Sequence, residues 1–230
     1  MNISKQNIKN IYPLTPVQQG MLFHGLLDEN TIAYFQQTIW RLKGEIQADL
    51  FLDAWNLLVE NHDVLRTVYS YDHSDRPLQV VLKNRPLKLN FIDLSQHDSA
   101  EKEVLCQQIQ KTDQIMPFDL SQGPLMRLTL IRVDSNIWQV MLSHHHILLD
   151  GWSYGLLLSE FIDVYQQLYR NEVPELSREV PFSSFIKWLE AQPSEAAAQY
   201  WRDLLSGFTL KNEWQFPKAN ILSLKDNQLV

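Results

Sequence analysis

Residues 143–153 read Ser-His-His-His-Ile-Leu-Leu-Asp-Gly-Trp-Ser and lie between two apolar patterns. They follow a strand-like run at residues 138–142 and precede a helix-like run at residues 154–169. A side chain at the end of a strand can reach a cleft, and histidine is the side chain whose unperturbed pKa suits proton transfer near neutral pH. This junction is therefore the candidate functional site of the chain.

The three histidines are predicted to differ in role. Because strand side chains alternate between faces, His144 and His146 should point one way and His145 the other. Packing is the favoured interpretation of His144, and chemistry is that of His146. The cluster could instead bind a metal ion or be a satisfied structural cluster. Metal binding is disfavoured because adjacent histidines diverge and Cys106 shows no ligand spacing.

Asp150 and its neighbours are expected to shape the loop that follows the histidines. Asp150 comes four residues after His146, so its carboxylate could accept a histidine N–H or pair with a cation elsewhere in the fold. Gly151 is expected to let the backbone turn sharply into the next helix. Asp150 or Ser153 could cap that helix.

The composition restricts the class of protein. The chain has 230 residues, of which 45% are hydrophobic and 20% are charged, which suits one large domain or two small ones. A net charge of −7 argues against a nucleic-acid partner. Neither a membrane-length apolar run nor a signal-peptide pattern is present, so no membrane contact is expected. The single cysteine, Cys106, excludes an internal disulfide framework and fits a cytoplasmic protein.

Local signals predict alternating helices and strands. Thr15 is the expected N-cap of a helix, with Pro16 at its first position and Gln18 completing a capping box. The turn at residues 134–136 predicts a hairpin that delivers the histidines, and the apolar strands of this hairpin should lie centrally in a sheet. The residues expected to be buried are Leu14, Val17, Met21 and Leu22 on the first helix, and Trp152, Leu156, Leu157, Phe161, Val164, Tyr165 and Leu168 on the helix after the histidines.

Four segments together resemble a known family. Residues 145–151 match the His-His-x-x-x-Asp-Gly motif of condensation domains from nonribosomal peptide synthetases, and the Trp-Ser that follows strengthens the match. Residues 12–24 resemble the family's first core motif, in the form typical of the subtype whose donor peptide ends in a D-residue. Residues 61–67 resemble the second motif, with Asn61 in place of its leading arginine, and residues 117–127 resemble the Pro-Phe-Asp-Leu…Gly-Pro-Leu-x-Arg segment.

The resemblance implies an α/β fold of the α+β sandwich type, similar to a lobe of chloramphenicol acetyltransferase, with helices packed on a mixed central sheet. Family members run to roughly twice this length, as two domain-sized lobes, so a second lobe is expected to be missing. We expect a lead and possible docking segment at residues 1–11 and the amino-terminal lobe at residues 12–175. A linker with helices that cross toward the missing lobe should follow at residues 176–208, and an irregular tail at residues 209–230.

The activity that the resemblance implies is amide formation between two carrier-bound thioesters. His146 would contact the attacking amine, as general base or by positioning it. The backbone N–H of Gly151 is the candidate oxyanion donor. Because half of the site is missing, the isolated chain is expected to fold but to catalyse little.

Five further residues receive roles from the resemblance. Asp150 would form an ion pair with Arg66 and so hold the loop, whereas without the resemblance Arg66 would be interpreted as a solvated strand residue. His145 would be mainly structural. Trp152 and Ser153 would line the substrate tunnel, although packing is the default interpretation of Trp152.

The implied partners are peptidyl or acyl carrier proteins, the carboxy-terminal lobe, and an adenylation domain of the same cytoplasmic synthetase. No bound cofactor or metal is implied, because the phosphopantetheine arms belong to the carriers. Since Met1 lies just ahead of the first motif, the domain is expected to open its polypeptide and to meet a donor carrier on a separate subunit.

Related functions remain as alternatives. Coenzyme A-dependent acyltransferases generally lack the doubled histidine, and epimerisation domains usually differ after Asp-Gly. Heterocyclisation domains replace the histidines with aspartate and are disfavoured. A different class is a non-catalytic module that only docks or recruits carrier proteins, which the missing lobe favours and the intact motif disfavours.

Overall fold

The computed structural model describes residues 4–27, 32–71, 76–177 and 180–208. The expected tail at residues 209–230 lies outside the described residues. Short 3-10 helices occupy Lys5–Asn7 and Asp63–Arg66. The other elements of the described residues are, in chain order, β1 (Ile8–Pro13), α1 (Pro16–Leu27), β2 (Phe35–Lys43), α2 (Ala48–Asn61), β3 (Thr67–Ser70), β4 (Leu78–Leu82), β5 (Leu89–Asp93), α3 (Ser99–Gln114), β6 (Met126–Asp134), β7 (Ile137–His145), α4 (Gly151–Tyr169), α5 (Phe182–Glu190) and α6 (Ser194–Leu204).

Two sheets organise the strands. The larger sheet has the order β2-β7-β6-β5, in which β5 and β6 run parallel and the other pairs run antiparallel. The predicted hairpin of β6 and β7 is confirmed, and both strands are central. The smaller sheet is antiparallel, with the order β1-β4-β3. The sequence predicted a mixed central sheet but not the division into two sheets.

Both faces of the larger sheet are covered. Leu130 and Leu142 belong to the main core, together with buried residues of α2 and α4. Ile131 points to the opposite face and packs with Cys106 of α3. Burial on both faces explains why every residue of β7 after Ile137 is buried. The expected α/β class, with helices on a mixed sheet, is confirmed.

The start of α1 follows the predicted capping box. Thr15 Oγ1 accepts the Gln18 N–H at 3.2 Å, and Gln18 Oε1 accepts the Thr15 N–H at 3.0 Å. The predicted stripe is only partly correct, because Leu14 and Leu22 are buried whereas Val17 is 68% exposed. Gln18 takes the buried position instead, since its amide has hydrogen-bond partners inside the protein.

The burial predicted for α4 is correct for Leu157, Phe161 and Val164, partly correct for Tyr165 and Leu168, and wrong for Trp152 and Leu156. Phe161 is buried and stacks on Trp55 of α2, with ring centroids 4.6 Å apart. Trp152 is 89% exposed and Leu156 is 75% exposed. Helical periodicity indicates an apolar face, but the partner helix covers only part of its length.

The segment boundaries differ from those expected. Ile8 to Ile11 lie in β1 rather than in a separate lead, because β1 pairs with β4. Within the described residues, the chain divides into one compact unit up to Glu190 and a second that begins at Ala191, and the boundary expected at residue 175 stays a prediction. The first unit includes α5 because Ile186 is buried against Tyr12 and Val81. Among the described residues, none of the helices is both long and apolar enough to cross a bilayer.

Candidate active site

The carboxyl end of β7 presents the histidines. His145 is the last residue of the strand and pairs with Phe35 of β2. His146 lies just beyond the strand, where its N–H donates to the Tyr34 carbonyl at 2.7 Å. The larger sheet therefore fixes the backbone up to the residue predicted to do the chemistry.

His144 faces α4 in a dry environment. Its side chain is buried and stacks on Tyr154, with ring centroids 5.7 Å apart and planes 10° apart. Burial, with a smaller contribution from the charge of His146, lowers its pKa from 6.5 to about 4. Its Nδ1 has no hydrogen-bond partner among the described residues. These surroundings favour packing over proton transfer.

His145 faces away from His144, as the alternation predicts. Its ring meets Phe118 edge-on at 6.5 Å, and its Nδ1 accepts the N–H of Ile147 at 3.1 Å. Burial lowers its pKa to about 4, with smaller contributions from His144 and His146. A neutral ring that accepts at Nδ1 carries its proton at Nε2. His145 therefore holds the loop that starts at His146.

His146 opens onto a cavity. It is half-buried and lines a space of about 1060 Å³ whose walls are the start of α1, the loop at residues 146–150, α4 and α5. Asp150 and Ser153 line the same space. A second cavity of about 1260 Å³, beside α3, touches none of the three histidines. The cavity at His146 is therefore the candidate active site.

Asp150 caps α4. Its Oδ1 accepts the Ser153 N–H at 2.7 Å, which settles which of the two candidate residues is the cap. The hydrogen bonds from the Ser153 backbone and hydroxyl hold the pKa of Asp150 below its usual value, and the charge of His146 contributes less. The carboxylate thus stays ionised at the positive end of the helix.

Gly151 is the first residue of α4, and its φ is not in the left-handed region. The chain therefore enters α4 without the left-handed backbone conformation that favours glycine, and the sharp turn at Gly151 stays a prediction. A Cβ at this position would meet no atom within 4 Å. Open space thus lies at the position of a side chain on Gly151, and its backbone N–H, at a helix start, has no acceptor within the helix.

The structure does not bring Arg66 to Asp150, so the expected ion pair is wrong. Arg66 is buried and its Nη2 donates to Asp63 Oδ1 at 2.7 Å. Its other N–H groups donate to main-chain carbonyls, including that of Val59 at 2.7 Å. Asp63 stands only three residues before Arg66, in the same 3-10 helix, and so satisfies the buried charge locally.

A comparison with protein families identifies the chain. The family model described as the condensation domain matches residues 8–228. The chain belongs to the condensation-domain family. Among curated relatives, it is 40% identical over 221 residues to tyrocidine synthase 2 of Brevibacillus parabrevis, covering 94% of this chain and 6% of that protein. It is 39% identical over 205 residues to bacitracin synthase 3 of Bacillus licheniformis, covering 89% of this chain and 3% of that protein.

Solved condensation domains share the fold. A mutant of the starter condensation domain of rhizomide synthetase matches with a TM-score of 0.78 at 20% identity, covering 87% of this chain and 49% of that one. The first condensation domain of the CDA synthetase matches with a TM-score of 0.75 at 21% identity, covering 87% of this chain and 50% of that one. The chain therefore spans about half of these solved domains.

The remaining predicted residues of this condensation-domain chain are divided between the cavity and the surface. Ser153 lines the cavity, whereas Trp152 does not and is almost wholly exposed. Within the described residues, no group of three or more histidine, cysteine, aspartate or glutamate side chains is arranged to hold a metal ion.

Residues that the sequence reasoning missed lie behind the histidine loop. Gln18, Tyr69 and Gln79 are buried polar side chains; Gln18 and Tyr69 hydrogen-bond to the Ile147 carbonyl in this loop, and Gln79 pairs with Gln18. Tyr34, which accepts the His146 N–H, has a φ of 67°, which is unusual for a bulky residue. The only local signal was Gln18 itself, a polar residue four positions before buried Leu22.

Proposed function

We propose that the intact protein containing this chain forms an amide bond during nonribosomal peptide synthesis. The donor is an acyl or peptidyl thioester on one carrier protein, and the acceptor is an aminoacyl thioester on another. The observation that carries the proposal is that, of three consecutive histidines, only His146 lines the cavity while the other two are buried. Membership of the condensation-domain family supports it.

The chemistry requires a neutral amine and stabilisation of a developing oxyanion. The acceptor nitrogen bonds to the thioester carbonyl carbon, the C–S bond then breaks, and the donor arm leaves as a thiol once it takes a proton. His146 would accept a hydrogen bond from the attacking amine and receive its proton, or hold the amine in line. The N–H of Gly151 at the start of α4 would face the oxyanion, where the helix dipole also favours negative charge.

In this proposal the chain binds no phosphopantetheine of its own, because each carrier protein brings its arm covalently attached. The partners would be two carrier proteins, an adenylation domain and the other half of the condensation domain, in a cytoplasmic synthetase. The chain alone should show little turnover, because a site open on one side cannot exclude water.

The chain alone offers a further test with loaded carriers. We expect carrier binding with little product, and multiple turnovers by the chain alone would contradict our expectation of an incomplete site.

The test of the amide-forming role is His146→Ala in the intact synthetase. We expect at least a 100-fold loss of product formation, the size typical of losing a positioned acid–base group, with little change in melting temperature because His146 is only half-buried. His97→Ala is the matched control, since His97 is exposed in the loop just before α3. A normal rate from folded His146→Ala would refute the proposal.

A further inference from the structure

A cluster of three buried polar side chains lies between α1, the small sheet and the histidine loop. Gln18 is 7% exposed, and Tyr69 and Gln79 are each 1% exposed. The two glutamines form a reciprocal amide pair, with N···O distances of 2.9 and 3.2 Å. Gln79 also donates to the Pro13 carbonyl at 3.0 Å, which joins the cluster to the end of β1.

The cluster reaches the residue immediately after His146. The Tyr69 hydroxyl donates to the Ile147 carbonyl at 3.3 Å, and Gln18 Nε2 approaches the same oxygen at 3.4 Å. The Ile147 N–H is held from the other side by His145 Nδ1 at 3.1 Å. Burial raises the pKa of Tyr69, so its hydroxyl remains a donor.

The two functional ends of Gln18 serve different purposes. Its Oε1 accepts the Thr15 N–H and completes the cap of α1. Its Nε2 faces Tyr69, Gln79 and the histidine loop. A glutamine is not needed to fill this space, because an apolar side chain would extend the buried stripe of Leu22. Burying an amide costs free energy unless its groups are paired, so the paired amide indicates a specific role.

We infer that Gln18, supported by Tyr69 and Gln79, is a positioning residue for His146. Gln18 also lines the cavity, but its amide is hydrogen-bonded within the protein, so it acts by fixing the peptide groups that follow His146. The inference rests on the proposed amide-forming function of His146. A loop beyond the end of a strand has no ladder to hold it, so donors from α1 and β3 fix the direction in which the imidazole enters the cavity.

The test is Gln18→Glu in the intact synthetase. Glutamate keeps the size of the side chain and the acceptor for the Thr15 N–H, but an ionised carboxylate loses the donor that faces Ile147.

We expect kcat at pH 8 to fall about 10- to 100-fold, as for an active-site group displaced by about 1 Å, with KM changed little. Because a buried carboxyl titrates at raised pH, it should regain a donor as pH falls. The ratio of variant to wild-type kcat should therefore rise between pH 8 and pH 6.

The same substitution at the next residue, Gln19→Glu, is the matched control, because Gln19 is exposed and does not line the cavity. It should leave kcat unchanged and give a ratio that does not depend on pH. Wild-type kcat from folded Gln18→Glu would overturn the inference. So would a loss of kcat that is independent of pH and parallels a loss of melting temperature, because that pattern indicates a purely structural role.

If Gln18→Glu does not fold, Tyr69→Phe decides the question, since it removes only the hydroxyl that donates to Ile147. A lower kcat with unchanged KM supports the inference, and an unchanged kcat overturns it. If the proposed amide-forming function of His146 is itself wrong, His146→Ala will retain the wild-type rate. That result distinguishes a failure of the proposed function from a failure of the inference about Gln18.

Discussion

Two buried imidazoles couple the stability of the chain to pH. Burial lowers the pKa of His144 and of His145 from 6.5 to about 4. As pH falls below 6.5, the unfolded chain takes up protons at these histidines that the folded chain does not. Their contribution to the free energy of unfolding is therefore fully present above pH 6.5 and is lost as pH falls to about 4. One such histidine accounts for up to about 3 kcal/mol. Urea unfolding at pH 7.5 and at pH 5 should show this loss.

His144→Phe tests which residue is responsible. The substitution removes a titrating ring whose Nδ1 lacks a partner among the described residues, and it keeps an aromatic contact with Tyr154. We expect stability at pH 7.5 to stay within about 1 kcal/mol of wild type, and the difference between pH 7.5 and pH 5 to shrink. An unchanged difference would show that the acid sensitivity arises elsewhere.

The sequence predicted some properties of single residues and missed others. The opposite orientations of His144 and His145 could be predicted because alternation is a property of the strand itself. The partner of Arg66 was predicted wrongly, because the family resemblance suggested Asp150 whereas the charge is satisfied by Asp63, three residues earlier in the same 3-10 helix. The remaining guanidinium N–H groups donate to main-chain carbonyls that include one in β4, and that contact depends on packing that local patterns do not contain.

At the scale of elements, the N-cap of α4 links the histidine loop to one wall of the cavity. Asp150→Ala should lower the free energy of unfolding by about 1 kcal/mol, because it removes the acceptor of the Ser153 N–H. Asp150→Asn should retain most of the stability, since asparagine is an equally good N-cap. Thermal and urea unfolding of wild type and the two variants would measure the order of their free energies of unfolding.

Equal loss of stability in both Asp150 variants would contradict a simple cap. It would show that the negative charge is required, as in the ion pair that the sequence suggested but the structure lacks. Ser99→Ala serves as a control, because it changes a residue of α3 while the cap of that helix, the Asp98 carboxylate that accepts the Glu101 N–H, remains.

Elements with local signals were predicted well. The capping box of α1 and the turn of the hairpin each depend on a few neighbouring residues, and both agree with the structure. The burial of Val17 and Trp152 was predicted wrongly because periodicity identifies an apolar face without showing what covers it. The cavity at His146 combines several elements and could not be predicted from any one of them.

At the scale of the whole molecule, two large apolar side chains near the start of α4 are exposed. Trp152 and Leu156 are 89% and 75% exposed, and they follow directly on the loop of the candidate active site. The solved condensation domains are about twice as long as the matched region. If the proposed function is correct, the other half of the domain covers these side chains, because an amide-forming site must exclude water.

Trp152→Ser tests this expectation in two settings. In the chain alone the change should alter the free energy of unfolding by less than about 0.5 kcal/mol, as for most exposed positions. In the intact synthetase it should destabilise the condensation domain by about 2 kcal/mol or more, as for loss of a buried large side chain. Val104→Ser, at an exposed position on α3, should be neutral in both. A Trp152→Ser effect as small in the intact synthetase as in the chain would mean that the first turn of α4 remains open, and that water is excluded from His146 by another route.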